Sequence, residues 1–254
     1  MVPRFTRRVL ARYDVAYAWC PACGLLRTEE PYWLEEAYSS AIAALDTGLV
    51  RRNVRFSEIT ASLLYFALDR RGSFVDVAGG YGLLTRMMRD VGFDFRWSDR
   101  YAENLMARGF EAREGGAHEA ITAFEVLEHV PDPVRFLEEA LARWKTRTVL
   151  FTTDLYRGEP PEPEAWWYYA FDTGQHVSFY ARRTLEAIGA RLGLRLYTHA
   201  GFHVLTDRRI RWPWYPLAFG NRSRSIARYV KKRMRSRTAS DRRSLQGGGT
   251  DGGG

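Results

Sequence analysis

FVDVAGGYG, residues 74–82, is the stretch of this chain that decides its fold. Its first four residues, Phe74 to Val77, form an apolar run typical of a short buried strand. The glycines that follow, Gly79, Gly80 and Gly82, allow the backbone to turn sharply and to approach a ligand without a Cβ in the way. The pattern predicts a strand, a ligand-binding turn and then a helix.

Strands and helices alternate along the rest of the chain. The predicted helices are 33–45, 56–68, 83–91, 101–108, 134–144 and 183–192, and the predicted strands are 74–77, 93–98, 120–126, 149–151, 195–199 and 203–206. Such alternation is typical of a mostly parallel sheet with helices on both faces. We therefore expect a Rossmann-like α/β fold that carries an N-terminal helical cap and an aromatic lid insert.

Composition divides the chain into three predicted regions. Residues 1–52 form an N-terminal cap with a C-x-x-C turn, and residues 53–207 form the core. Within the core, residues 154–180 break the alternation with three prolines and a cluster of aromatic residues, so we expect a lid insert there. Residues 208–254 form a basic, partly disordered tail that ends in a glycine-rich sequence.

The net charge of +8 comes from the tail. Residues 222–243 contain ten Lys and Arg and one acid, which leaves 28 basic and 29 acidic residues elsewhere. Aromatic residues in 211–219 precede this basic run, a combination that suits peripheral contact of residues 211–243 with an anionic membrane. A solvated tail without a partner fits equally well. Nucleic acid is a disfavoured partner, because no RNA-reading motif accompanies the charge.

The sequence lacks the features of a membrane-spanning, secreted or disulfide-bonded protein. No apolar run is long enough to span a bilayer, and the first residues have no apolar signal core. We expect a cytoplasmic protein. Peripheral attachment to the inner face of the membrane is compatible with that location. Cys20 and Cys23 are half of a zinc knuckle, and a structural zinc needs four ligands. His199 and His203 are the remaining candidates, but we expect no bound metal.

Asp99 follows the second predicted strand, about seventeen residues after the glycine turn. A carboxylate at this position can accept both ribose hydroxyls, so the pair predicts an adenosine-containing cofactor. A dinucleotide fingerprint needs a third glycine, and Thr85 stands in its place. Asp76 before the turn suits a cofactor with a positively charged end. A plain structural turn with a surface Asp is the alternative.

These residues resemble the class I S-adenosylmethionine-dependent methyltransferases. Residues 76–82 look like that family's first motif, although Ala78 replaces its first glycine. FEVLEHVPDP, residues 124–133, looks like the fourth-strand motif of the small-molecule branch and is more specific than the glycines. Residues 166–169 and 174–180 resemble a later motif of bacterial members associated with glycan biosynthesis. The resemblance covers about residues 20–205.

The resemblance implies S-adenosylmethionine as cofactor and methyl transfer to a small-molecule, sugar or lipid-linked glycan acceptor. The implied cofactor-binding residues are Asp76, Ala78, Gly79, Gly80, Gly82, Asp99 and Glu125. An oxygen or carbon acceptor must lose a proton, which calls for a base with a pKa near neutrality. His176 is the first candidate for this base and His129 the second. A structural role is the alternative for each.

The aromatic insert supplies the predicted acceptor site. Its candidate residues are Trp167, Tyr168, Gln175 and Tyr180. The rings could stack on a sugar or form the apolar underside of the lid. Two other functions stay open: a non-catalytic Rossmann-like binding or scaffold protein whose tail binds a membrane or nucleic acid, and an NAD(P)-dependent oxidoreductase. The missing third glycine disfavours the oxidoreductase.

Overall fold

The computed structural model describes residues 1–38, 47–211, 218–219 and 223–247. In these ranges the strands are β1 Val2–Val9, β2 Tyr13–Trp19, β3 Leu26–Thr28, β4 Ser73–Val77, β5 Asp94–Ser98, β6 Ala120–Ala123, β7 Thr148–Thr152, β8 Leu155–Tyr156, β9 Ser178–Ala181, β10 Arg195–His199 and β11 Phe202–Thr206. The helices are α1 Leu34–Ala37, α2 Leu49–Ala67, α3 Leu83–Val91, α4 Pro133–Arg143, α5 Arg182–Leu192, α6 Ser223–Arg233 and α7 Thr238–Gly247. The predicted Rossmann-like α/β class is confirmed.

The chain divides into two compact units rather than the three predicted regions. The first unit comprises Met1–Asp46, Ala123–Arg143 and Arg147–Arg209, and the second comprises Thr47–Thr122, Trp144–Thr146 and Ile210–Gly254. The N-terminal residues and the aromatic insert thus fold as one body. The basic C-terminal residues fold with the glycine turn instead of forming a separate tail.

Parallel strands form the centre of the second unit. β4 pairs in parallel with β5 on one side and with β6 on the other. Phe74 on β4 stacks on Phe95 of β5, with ring centroids 5.3 Å apart, and both side chains are fully buried. Because β4 is apolar and central, the turn that follows it is held at the carboxyl end of the parallel strands, where α/β proteins bind ligands.

A buried ion pair attaches the basic segment to this unit. The Asp241 carboxylate in α7 accepts two hydrogen bonds from the Arg89 guanidinium in α3, at 2.8 and 2.7 Å. Arg89 also donates to Asp94 and lies 3.7 Å from the centroid of the Phe110 ring. Burial alone would raise the pKa of Asp241, but the hydrogen bonds from Arg89 and Arg86 lower it below its usual value. Asp241, the one acid in the basic segment 222–243, therefore attaches α7 to α3.

The first unit contains a five-stranded sheet in the order β1-β2-β3-β9-β8. The chain's N-terminal strands meet the aromatic insert where β3 pairs with β9, antiparallel, with Leu26 opposite Phe179. Both of these side chains are fully buried. β10, β11 and β7 are neighbours in that order and are antiparallel. The insert is thus part of a sheet, and its residues Tyr156, Tyr168, Tyr169 and Phe179 belong to a buried aromatic core.

The predicted helix at 101–108 is wrong. Side-chain oxygens and a backbone carbonyl from elsewhere in the chain accept the hydrogen bonds of its N–H groups. Asp99 accepts from Tyr101 and Ala102, and Asn104 accepts from Ala107. Local hydrogen bonds of this kind compete with helix formation. The predicted strand 120–126 ends earlier, at Ala123. Of the helix predicted at 33–45, residues 34–37 are helical, and 39–45 lie outside the described residues.

Within the region predicted as a basic, partly disordered tail, residues 223–247 contain α6 and α7. Residues 212–217, which hold most of the aromatic residues predicted to meet a membrane, lie outside the described residues, as do 248–254. Among the described residues, we find no helix whose length and apolar character would let it cross a bilayer.

We expect Asp241→Ala to lower the free energy of unfolding by about 3–5 kcal/mol, because it leaves the buried Arg89 without its main partner. Urea denaturation of the full chain measures the change. Glu139→Ala removes an exposed ion pair with Arg135 and is the matched control, with an expected loss of about 0.5 kcal/mol. Equal losses in the two variants would contradict a special role for Asp241.

Candidate functional site

The glycine turn has the backbone geometry of a ligand cradle. Gly80 and Gly82 have positive φ angles of +53° and +83°, in the region that favours glycine. Gly79 is needed for space, since a Cβ there would lie 2.7 Å from Oδ2 of Asp76. Ala78 has φ +52°, so the residue that replaces the family's first glycine adopts a strained conformation, at a cost of roughly 1–2 kcal/mol.

Asp76 lies beneath this turn, nearly fully buried. Its carboxylate accepts hydrogen bonds from the hydroxyls of Thr122 on β6, at 2.7 Å, and of Thr85 on α3, at 3.2 Å. Burial raises the pKa of Asp76 to about 6, and the two threonine hydroxyls partly offset that rise. Thr85 stands where a dinucleotide fingerprint has its third glycine, and here its hydroxyl holds the acid instead.

Asp99 closes the turn from the next strand. Its Oδ2 accepts the backbone N–H of Gly80 at 2.9 Å, and its Oδ1 accepts the N–H groups of Tyr101 and Ala102 at 2.7 and 2.9 Å. Trp97 adds a hydrogen bond from Nε1 to the carbonyl of Gly80 at 2.8 Å. The carboxylate is thereby fixed beside the turn; two hydrogen bonds occupy Oδ1, and Oδ2 retains a lone pair for a further donor.

The residues of this turn fit a nucleoside cofactor with a positive charge. A Cβ built on Gly80 meets no atom within 4 Å, so the cradle is open at that point. Two carboxylates, Asp76 and Asp99, lie next to it, and the negative charge of Asp99 contributes to the raised pKa of Asp76. Carboxylates suit ribose hydroxyls and a cationic group, whereas they would repel a pyrophosphate.

A second group of predicted residues lies in the first unit, around a 3₁₀ turn at Leu127–His129. Glu125 has φ +55°, and its backbone N–H and Oε1 both bond the Thr152 hydroxyl, at 2.9 and 2.6 Å. Glu128 is fully buried, and its Oε1 accepts a hydrogen bond from the Tyr168 hydroxyl at 2.7 Å. Burial, with the nearby charge of Glu125, raises the pKa of Glu128 to about 8.

His129 and His176 come together beside Glu128, with ring centroids 4.9 Å apart. Nδ1 of His129 bonds the carbonyl of Gln175 at 3.0 Å, and Nδ1 of His176 bonds the carbonyl of Tyr168 at 2.6 Å. Burial lowers the pKa of His129 to about 4 and that of His176 to about 3. Both pKa values lie below the neutral range that suits a general base, and the base role of His176 or His129 stays a prediction.

The predicted acceptor residues have different environments. Tyr168 and Tyr180 are buried, 3% and 0% exposed, so in this conformation neither ring offers a surface to a sugar. The Tyr180 hydroxyl instead donates to the carbonyl of Leu127 and so supports the turn that carries Glu128. Trp167 is 78% exposed and is the ring available for stacking. Gln175 holds His129 through its backbone carbonyl, and its own contact with an acceptor stays a prediction.

The cysteine pair forms a tight turn in the first unit. Both thiols are free, and Gly24 follows with φ +77° and donates its N–H to the carbonyl of Cys20 at 2.7 Å. His203 cannot complete a zinc site there, because it is buried between the Thr198 hydroxyl and the Thr153 carbonyl. Among the described residues, the cysteines belong to no group of three potential metal ligands.

Sequence reasoning missed several residues that shape both groups. Thr122 and Thr85 hold Asp76, Trp97 holds the turn, and Thr152 holds Glu125. The burial of Glu128 was missed as well. A signal for it was available, since a carboxylate between Leu127 and Val130 on an apolar turn is expected to be buried.

The fold and the glycine turn are those of a Rossmann-like α/β protein. Residues 51–199 match the model of a family described as Methyltransferase domain. The match covers more than half of the chain, so the chain belongs to this family. The prediction that the chain is a member of a methyltransferase family is confirmed. A search of curated proteins finds no match.

Solved structures show distant similarity. TnmH is 17% identical, with a TM-score of 0.48, over 69% of this chain and 61% of that one. An O-methyltransferase family 2 protein from Planctomyces limnophilus in complex with apigenin is 15% identical, with a TM-score of 0.47, over 71% of this chain and 62% of that one. The chain thus spans less than two thirds of their length. These similarities are too distant to support an argument about activity.

Asp76 gives a prediction about stability and pH. Its folded-state pKa of about 6 lies above the ordinary value of 3.8, so the folded state binds the proton more tightly. Stability contributed by the protonated group is present below pH 4 and is lost as the pH rises through 6, a change on the order of 3 kcal/mol. We expect Asp76→Asn to flatten this dependence in urea denaturation between pH 4 and 7. Asp69→Asn, at an exposed turn, should leave the wild-type profile unchanged.

Ala78 gives a prediction about strain. Ala78→Gly should raise the free energy of unfolding by up to about 1 kcal/mol, because glycine adopts a positive φ without the Cβ clash. Ala170→Gly, at φ +50° in the first unit, is the matched control and should give a similar gain. By calorimetry, Ala78→Gly should bind S-adenosylmethionine at least as tightly as the wild type. Weaker binding would show that the methyl group of Ala78 supports the cofactor site.

Proposed function

We propose that this chain transfers a methyl group from S-adenosylmethionine to a hydroxyl oxygen of a small-molecule acceptor. The observation that carries the proposal is the glycine turn, in which Asp99 fixes the Gly80 N–H and Asp76 lies buried beneath it. It occurs in a chain that belongs to a methyltransferase family. The cofactor supplies, when bound, a methyl carbon attached to a positively charged sulfur.

The second unit would hold the cofactor. Asp99 is placed to accept hydrogen bonds from ribose hydroxyls, and the backbone of Gly79, Gly80 and Gly82 leaves room for the nucleoside. When ionised, Asp76 provides negative charge near a cationic group, and the Thr122 and Thr85 hydroxyls keep it in place. Trp97 keeps the Gly80 peptide oriented. These residues bind and position the methyl donor, and positioning supplies much of the rate enhancement of a displacement reaction.

The first unit would hold the acceptor. An acceptor hydroxyl can donate a hydrogen bond to an imidazole nitrogen of His129 or His176, and the exposed Trp167 can stack on an apolar or sugar face. In the displacement, an oxygen lone pair would form the new bond to the methyl carbon while the carbon–sulfur bond breaks and its electrons remain on sulfur. The hydroxyl proton would leave to water. The low pKa values of both histidines make them weak acceptors for that proton.

The finer assignment of the acceptor, a sugar or a lipid-linked glycan, is part of the proposal. The last turn of α6 presents Lys231, Lys232 and Arg233 to solvent, and clustered cations of this kind favour anionic lipid surfaces. A panel of acceptors with radiolabelled cofactor tests the assignment. It includes free sugars, soluble aromatic alcohols and a polyprenyl-linked sugar in anionic vesicles. Transfer confined to the aromatic alcohols would overturn the glycan assignment.

We expect the full chain to be stabilised in thermal-shift assays by S-adenosylmethionine and S-adenosylhomocysteine but not by NAD. Asp99→Asn should weaken binding of S-adenosylmethionine about 10- to 100-fold, since it replaces a charged hydrogen-bond acceptor by a neutral one. Asp69→Asn is the control, because the Asp69 carboxylate likewise accepts a backbone N–H at an exposed turn. A shift with NAD alone would favour the oxidoreductase alternative, and a chain that binds neither would favour a scaffold.

A further inference from the structure

Glu128, His129 and His176 form a cluster whose geometry the proposed methyl transfer leaves unexplained. One ligand atom from each residue lies within 4.8 Å of the other two. Glu128 is fully buried, and its Oε2 has no hydrogen-bond partner. A buried carboxylate oxygen without a donor is costly, and it points to a positively charged group that is bound there.

In both imidazoles the hydrogen bond at Nδ1 leaves Nε2 as the nitrogen that can bind a metal ion. Nδ1 of His129 and Nδ1 of His176 each lie within hydrogen-bond distance of a backbone carbonyl, at 3.0 and 2.6 Å. A carbonyl oxygen only accepts, so each Nδ1 must carry the hydrogen. In neutral imidazole, Nε2 then has a free lone pair. Histidines that bind metals are commonly held in this way, with Nδ1–H on a carbonyl and Nε2 on the ion.

The carboxylate is oriented in the same manner. The Tyr168 hydroxyl donates to Oε1 of Glu128 at 2.7 Å and lies 3.2 Å from the Thr153 hydroxyl. One carboxylate oxygen is thus fixed by an outer partner while the other is left for a ligand. Both histidines are only half-buried, which gives an ion access to the cluster.

We propose that Glu128, His129 and His176 bind one divalent transition-metal ion of the zinc class. Two imidazole nitrogens and one carboxylate oxygen suit Zn²⁺ or Co²⁺, whereas Mg²⁺ and Ca²⁺ favour oxygen ligands throughout. Three protein ligands leave a coordination position open. Metal binding stands without the proposed function. The role of the open position rests on that function: it would take the acceptor hydroxyl oxygen, and the ion would ease release of the hydroxyl proton to water.

The test uses the full chain freed of metal with a chelator. Titration with Co²⁺, followed by visible absorption, and with Zn²⁺, followed by calorimetry, should each give one ion per chain. Glu128→Gln keeps the size of the side chain and an oxygen for Tyr168 but removes the anionic ligand. It should weaken Zn²⁺ binding by more than the roughly 10- to 100-fold that the loss of an outer partner costs. His176→Gln should do the same.

Two further variants distinguish binding at this cluster from binding at the cysteine pair. Tyr168→Phe removes only the hydroxyl that orients Glu128, so it should weaken Zn²⁺ binding by roughly 10- to 100-fold. Cys20→Ser with Cys23→Ser removes the competing thiols and should leave the stoichiometry and affinity at the cluster unchanged. Melting curves of each variant without metal verify the fold, and Glu128→Gln keeps the test decisive if a histidine variant fails to fold.

Three outcomes would overturn the inference. These are Zn²⁺ binding that survives in Glu128→Gln and His176→Gln but disappears with the cysteines, tighter binding of Mg²⁺ than of Zn²⁺, and no bound ion in the wild type. The result is independent of the cofactor. If the chain binds Zn²⁺ at this cluster but does not bind S-adenosylmethionine, the metal site stands and the proposed function is overturned. If it binds S-adenosylmethionine but no Zn²⁺, the metal site is overturned and the proposed function stands.

Discussion

Removing a carboxylate from water is the constraint on which both functional regions depend. Asp241 meets it with the two-pronged hydrogen bonds of Arg89, and Asp76 meets it with two threonine hydroxyls. Glu128 has one tyrosine hydroxyl and an oxygen without a donor. The first two arrangements are complete and hold elements together. The third is incomplete, and a buried carboxyl group whose hydrogen bonding is incomplete is characteristic of sites that bind a ligand.

The two regions are suited to different chemical tasks. The glycine turn has exposed backbone groups, open space and negative charge. These features suit the binding of a nucleoside rather than proton transfer. The Glu128 cluster offers lone pairs held in fixed directions by carbonyls and a hydroxyl. Methyl transfer in general needs a donor held in line, and a hydroxyl acceptor must also be relieved of its proton.

The fold was predictable where local pattern and tertiary structure agree. Phe74 to Gly82 predicted β4, the turn and α3, because buried apolar runs and glycines leave few alternatives. Residues 101–108 have helical spacing, but Asp99 and Asn104 take their N–H groups, which only the folded chain shows. At the site, Asp76 and Asp99 were predictable from spacing. The contact between Glu128 and His176 joins residues 48 positions apart in the sequence. No local sequence pattern predicts a contact at that separation.

The ion pair between Arg89 and Asp241 joins residues 152 positions apart. At the usual 5–20 residues per second, a ribosome needs roughly 8–30 s to reach Asp241 after it has added Arg89. During that interval the nascent second unit contains a guanidinium that has no carboxylate from α7 to bury against. The ion pair therefore cannot form until α7 has been synthesised, and a chaperone has time to engage the parallel strands before that.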